Sequence, residues 1–107
     1  MECLFCKIIN KEIASRIVYE NDEVLAFHDI KPKAPVHILV ISKEHIESVR
    51  SNGSEQIVAK LVAAAKEIAK EQGIDGYKLS FNVGREGGQE VDHLHMHLLV
   101  GKPVDSL

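Results

Sequence analysis

A chain of 107 residues makes one domain of ordinary size, and 45% hydrophobic with 27% charged residues is the balance of a globular protein rather than a disordered or membrane-embedded one. A net charge of -3 with the histidines neutral excludes the basic surface on which DNA and RNA binding rests, so no nucleic-acid partner is expected. A small anion held by local amides and imidazoles stays open, because a pocket can bind phosphate inside an acidic protein.

The first residues, Met1-Glu2-Cys3-Leu4-Phe5-Cys6-Lys7, carry charges where a signal peptide would need an apolar run, and nothing is long enough to span a bilayer. A cytoplasmic protein without a membrane partner is the expectation. A short helix is predicted near Phe5–Asn10. Apolar runs at Ile17-Val18-Tyr19 and Val24-Leu25-Ala26-Phe27, around the turn signal Asn21-Asp22, predict a β-hairpin. Pro32 and Pro35 then break the chain before the β-branched run Val36–Ile41, which predicts a buried strand.

Ser51-Asn52-Gly53-Ser54 is a loop, with Ser54 expected as the N-cap of a long helix to Gln72. Ile57, Val58, Leu61, Val62, Ala65, Ile68 and Ala69 fall at helical spacing, and Gly73 supplies the stop. That stripe either covers a sheet or forms a dimer surface. Tyr77–Val83 predicts a strand, Gly84–Gly88 a glycine-rich turn whose amides suit a hairpin or a phosphate, and Leu94–Val100 the last strand. No repeat or linker divides the chain, so residues 1–107 are expected to form a single α+β domain.

Six histidines is a high count for this length, and three of them alternate in His93-Leu94-His95-Met96-His97. On a strand, alternate side chains share a face, so His93, His95 and His97 are expected on one side with Leu94, Met96 and Leu98 on the other. Three adjacent imidazoles are costly as plain packing, since each ring nitrogen needs a partner. Two chemistries suit them. One is a transition-metal site. The other is nucleophilic catalysis at phosphorus, for which a neutral imidazole near pH 7 is suited and its neighbours can orient it.

Cys3 and Cys6 are too few and too close for a disulfide framework. Their C-x-x-C spacing is half of a tetrahedral zinc site, with a redox pair as the competing reading. His28, His45 and His93 are the histidines from which two further ligands would come if His37, His95 and His97 serve a phosphate.

The segments Phe5-Cys6-Lys7-Ile8-Ile9, Leu25–Ile30, Ala34-Pro35-Val36-His37, Asn82–Gln89 and His93–His97 together resemble the histidine-triad (HIT) superfamily, its nucleotide-binding branch, over nearly the whole chain. The resemblance implies a HIT-like fold: a mainly antiparallel sheet of about five strands, one long helix and a short N-terminal helix. It implies hydrolysis of purine nucleoside 5′-phosphoramidates or related mixed phosphates, of AMP or GMP type, in a homodimer with no cofactor in catalysis. His95 matches the nucleophile that forms a nucleotidyl-histidine, His97 a phosphate contact, His93 a positioning residue and His37 a further lining of the phosphate pocket. Asp29 matches the ribose-binding acid. Phe5, Ile8, Phe27 and Ile30 match the purine slot, although read alone the first three are core. Asn82 and Gln89 match residues at the phosphate and leaving group, and Gly88, Glu90 and Val91 complete the nucleotide-binding set. Many members carry Ser or Thr where this chain has Glu90. A similarity to galactose-1-phosphate uridylyltransferases implies a structural zinc on Cys3, Cys6, His45 and His93.

Two other functions compete: a dinucleoside polyphosphate hydrolase or nucleotidyltransferase using the same nucleophile, and a nucleotide-binding regulatory module with incidental hydrolysis. A metal hydrolase built on His93, His95 and His97 ranks last for want of an acidic partner at ligand spacing.

Overall fold

The β-branched run that follows the two prolines becomes the middle strand of a five-stranded sheet. The computed structural model describes residues 3–101. In chain order these form helix α1 (Leu4–Ile9), strands β1 (Ile17–Glu20), β2 (Val24–His28) and β3 (Val36–Ser42), helix α2 (Ser54–Gln72), strand β4 (Lys78–Ser80), one 3-10 turn (Arg85–Gly87) and strand β5 (His95–Val100). The sheet order is β1-β2-β3-β5-β4, and every neighbouring pair is antiparallel.

The alternation expected of strands sorts the core into two layers. Val24, Ala26, Ile38, Val40, Met96 and Leu98 face α2 and pack with its Leu61, Ala64, Ala65 and Ile68. The helix stripe therefore covers the sheet, with Ile57, Val58 and Val62 packed at its margin. On the opposite face Leu25, Phe27, Leu39 and Ile41 pack against Phe5 and Ile8 of α1. The β3–β5 register pairs Leu39 with His97 and Ile41 with His95, so the histidines emerge on the α1 face at the centre of the sheet.

Local chemistry explains where the observed elements depart from expectation. Helix α1 starts one residue early, at Leu4, because the Cys3 thiol accepts the Cys6 N–H at 3.4 Å and serves as its cap. Ser54 is the first residue of α2 and not its N-cap. Gly53 takes the cap position at φ 78°, and the Ser54 hydroxyl donates instead to the Val49 carbonyl at 2.5 Å. Strand β4 stops at Ser80, short of Val83, since Phe81–Val83 leaves the sheet and lets the Asn82 amide reach across to Gly87. The hairpin turn forms as Asn21 predicts, its carboxamide oxygen accepting the Glu23 and Val24 N–H groups at 2.8 Å.

Candidate active site and metal cluster

Strand β5 begins with an imidazole, His95. His95 Nδ1 lies 2.7 Å from the carbonyl oxygen of His93, and a carbonyl only accepts. The proton is thereby assigned to Nδ1, leaving the lone pair on Nε2. Burial pushes His95 below the ordinary 6.5, which keeps it neutral at pH 7, with the His93 carbonyl pulling the other way. A buried, oriented, neutral imidazole in the wall of a cleft is equipped to attack an electrophile.

His97, one step along the same face, ends a chain of hydrogen bonds whose donors and acceptors fix one another. The Lys33 N–H donates to His37 Nδ1 at 3.1 Å, so His37 must carry its proton on Nε2. That proton goes to His97 Nδ1 at 2.9 Å, and His97 Nε2–H then donates to Asn82 Oδ1 at 2.9 Å. Asn82 passes the sequence on through its Nδ2, which donates to the Gly87 carbonyl at 2.8 Å. Burial lowers His37, and burial together with His95, His37 and Lys33 lowers His97 to about 4. Both rings are neutral at pH 7, as the relay requires.

A cavity of about 330 Å³ opens in front of His95 and His97. Phe5, Ile8 and Phe27 form an apolar end, with the Phe5 ring edge-on to Phe27 at 5.7 Å and to His95 at 5.1 Å. Asp29 lies further along, its Oδ1 accepting the Lys31 N–H at 2.8 Å and its Oδ2 3.5 Å from His37 Nε2. Ile30 stands 89% exposed on the rim, an apolar side chain with a face to offer a flat ring. Asn82, Gly88, Glu90 and Val91 also line the cavity. Most of the residues singled out in the sequence thus meet in one cleft.

Of those matched to catalysis or nucleotide binding, three do not line it. His37 is buried behind His97 and acts through it. His93 belongs to the metal cluster described below. Gln89 turns inward: its Oε1 accepts the Gly84 N–H at 3.0 Å, and its Nε2 donates to the carbonyls of Glu47 at 2.7 Å and Val91 at 3.0 Å. With its amide engaged in this way, Gln89 staples the glycine-rich turn to the loop before α2. The cleft also has walls that sequence reasoning did not anticipate, at Ile13–Ser15 and at Lys31 and Lys33. An isoleucine in the polar run Lys11–Arg16 was the available signal. The Ser15 hydroxyl, beside this wall, is buried without a hydrogen-bond partner among the described residues.

The cysteines meet two histidines on the same face of the sheet. Cys3, Cys6, His45 and His93 bring one ligand atom each to within 4.8 Å of one another. Cys3 Sγ lies 3.4 Å and Cys6 Sγ 3.7 Å from His93 Nδ1, and Cys6 Sγ lies 3.3 Å from His45 Nδ1. The edge of a zinc tetrahedron with Zn–S and Zn–N bonds of ordinary length is about 3.3–3.8 Å, so these three separations already match it, and the remaining ones lie within 4.8 Å. His93 Nε2 donates to the Ser42 carbonyl at 2.6 Å, which turns the Nδ1 lone pair toward the thiols, the outer hydrogen bond typical of a metal-bound histidine. Soft thiolates with imidazoles suit zinc. Cysteine and histidine chemistry therefore fits the metal.

An antiparallel sheet backed by one long helix, with alternating histidines facing a cleft, defines a small α+β protein with an imidazole-lined ligand site. The HIT domain model matches residues 10–104, and the chain belongs to that family. It is 50% identical over 107 residues to the purine nucleoside phosphoramidase of Escherichia coli K12, covering 96% of this chain and 90% of that protein. It is 46% identical to the protein HitA of Neisseria gonorrhoeae over 95% of this chain and 97% of that one. A histidine triad protein from Clostridium difficile superposes with a TM-score of 0.93 at 47% identity, over 100% of this chain and 96% of that one. A HIT family hydrolase from Legionella pneumophila superposes at 0.88 with 44% identity, over 94% of both. No described helix is long and apolar enough to cross a membrane.

Proposed function

We propose that this chain hydrolyses purine nucleoside 5′-phosphoramidates in two steps through a nucleotidyl group carried on His95. One observation carries the reading: the Nδ1–H bond from His95 to the His93 carbonyl leaves Nε2 as an unprotonated nucleophile in the cleft wall. The likeness to a purine nucleoside phosphoramidase supports the substrate class. The base enters between Phe5, Ile8, Phe27 and Ile30, and Asp29 takes the ribose hydroxyls. His95 Nε2 bonds to phosphorus as the P–N bond breaks; its electron pair leaves on the amine nitrogen, which takes a proton from water. Water then adds to phosphorus and displaces Nε2, giving the nucleoside monophosphate. His97 Nε2–H, held by Asn82 in the free protein, is the donor nearest at hand for phosphoryl oxygen as charge builds there.

Zinc on Cys3, Cys6, His45 and His93 belongs to the same proposal, and when bound it ties α1 to the catalytic strand. Two free cysteines placed for a metal suit a reducing, cytoplasmic setting. A homodimer is proposed as well, supported by the open outer edge of β4, which pairs only with β5 among the described residues.

Intact-protein mass spectrometry after rapid quenching with adenosine 5′-phosphoramidate tests the reaction. A transient gain of one nucleotidyl group in the wild type, absent in His95→Ala, is expected. Nucleotide binding with neither adduct nor AMP would leave a binding module in its place.

A further inference from the structure

The nucleotide cleft is electrically lopsided. Lys31 and Lys33 stand on the wall that also holds Asp29, and neither has an ion-pair partner among the described residues. A second stretch of the lining, at Asn82, Gly88, Glu90 and Val91, carries a carboxylate. Glu90 is exposed and likewise has no ion-pair partner among the described residues. Beyond it lies a second cleft of about 500 Å³ that shares Leu4, Glu90 and Val91 with the first. Its other charged walls are Glu47 and Asp92, and no lysine or arginine lines it among the described residues. Asp92 is neutralised by Arg85 at 2.8 Å, which leaves Glu47 and Glu90 as the carboxylates of the second cleft without an ion pair among the described residues, and Glu90 as the one that both clefts share.

We propose that Glu90 selects the leaving group, favouring amines that carry a second positive charge in the second cleft. The inference rests on the phosphoramidase reading. With the base at the aromatic end and the ribose at Asp29, the amine on phosphorus points to the remaining opening, which is the Glu90 wall. The reaction itself is unchanged: the P–N electron pair leaves on nitrogen, a proton comes from water, and the distant ammonium takes no part beyond its attraction to the carboxylate. An exposed charge pair of this kind changes selectivity by about three- to tenfold.

Adenosine 5′-phosphoramidates of pentylamine, 1,5-diaminopentane and 6-aminohexanoate have chains of similar length and differ mainly in the charge at the far end. The expected order of kcat/KM in the wild type is diamine, alkylamine, amino acid, with each step about three- to tenfold. Glu90→Gln should collapse the spread, and Glu90→Lys should reverse it. Because Glu90 is exposed, both variants are expected to fold, and a circular dichroism melt checks that they do. A ranking in Glu90→Gln equal to the wild type's, or no ranking in the wild type, overturns the proposal. The unsubstituted phosphoramidate, whose leaving group is ammonia, separates the two layers. If the wild type turns it over while the ranking is absent, only the role of Glu90 fails. If none of the four compounds is hydrolysed, the phosphoramidase reading fails and takes this one with it.

Discussion

His93 serves the molecule at both ends: its ring Nδ1 lies 3.4 Å from Cys3 Sγ, while its carbonyl oxygen receives the Nδ1–H of His95 at 2.7 Å. One residue therefore joins the cysteine–histidine cluster to the proposed nucleophile through its own covalent bonds, from ring nitrogen to carbonyl oxygen. Its ring is in turn fixed by the Ser42 carbonyl at 2.6 Å. The tautomer of the neutral His95 ring is set by a main-chain carbonyl, which does not itself titrate.

Removing the nucleophile should abolish turnover while sparing the cleft. His95→Ala is expected to lower kcat by at least about a thousandfold. AMP affinity should change by less than about tenfold, since the base and ribose contacts are elsewhere. Equilibrium titration beside single-turnover kinetics measures both. Residual chemistry within tenfold of the wild type would mean that another group attacks phosphorus.

Asn82 receives the last imidazole proton of the Lys33–His37–His97 chain. Asn82→Ala leaves His97 Nε2–H without its partner and frees the ring to turn. A fall in kcat of about ten- to a hundredfold is expected, with KM little altered, as for other residues that orient a working histidine. Equal losses in KM and none in kcat would show that Asn82 only binds substrate.

Acid should unfold the protein through its neutral histidines. In the unfolded chain His97 binds a proton near 6.5, whereas in the folded chain it resists until about 4, and His37 is shifted in the same direction by burial. Below pH 6.5 the unfolded state therefore holds more protons, and stability present in full above that value declines as pH falls toward 4. Urea midpoints measured from pH 8 to pH 4.5 should be level at first and then drop. His97→Gln should flatten part of that drop, and an unchanged slope would argue against it.

Zinc should bind with a stoichiometry of about one per chain in metal-replete protein, as a closed set of four ligands implies. Cys6→Ser or a strong chelator should lower the melting temperature. Nucleotide affinity should weaken in parallel, because α1 carries Phe5 and Ile8 into the base slot and is only six residues long. Elemental analysis with calorimetry reads both. Protein that purifies without metal and melts unchanged in chelator would leave the four residues as ordinary packing.

How much of this was legible in the sequence follows from how local each cause is. Strict alternation in His93–His97 announced both faces of β5, because a strand's period is two and nothing distant alters it. The same holds for the α2 stripe and its glycine stop at Gly73, which lies at φ 68° and donates to the Ala69 and Lys70 carbonyls. Gln89 was assigned to the ligand by resemblance alone, and its hydrogen-bond partners in the folded chain, Gly84 and Glu47, could not be read locally because the folded path chooses them. The burial of His37 was equally invisible, since its acceptor His97 is 60 residues away. The Cys3–Cys6 spacing pointed to half of a metal site from the chain itself. Its other half came from resemblance, because His45 and His93 meet only through the sheet.

Strand β5 writes two texts in alternate letters. Its His95 and His97 face the cleft, while Met96 and Leu98, with Leu94 just before the strand, lie under α2. A single residue inserted or deleted inside the strand, at Met96, would exchange the two sets on one side of it, driving polar side chains beneath the helix and apolar ones into the cleft. Length variation is thus barred from this stretch even where side-chain variation is not. A lineage can retune the reaction by substituting at the odd positions and the packing by substituting at the even ones, but it can do neither by slipping the frame.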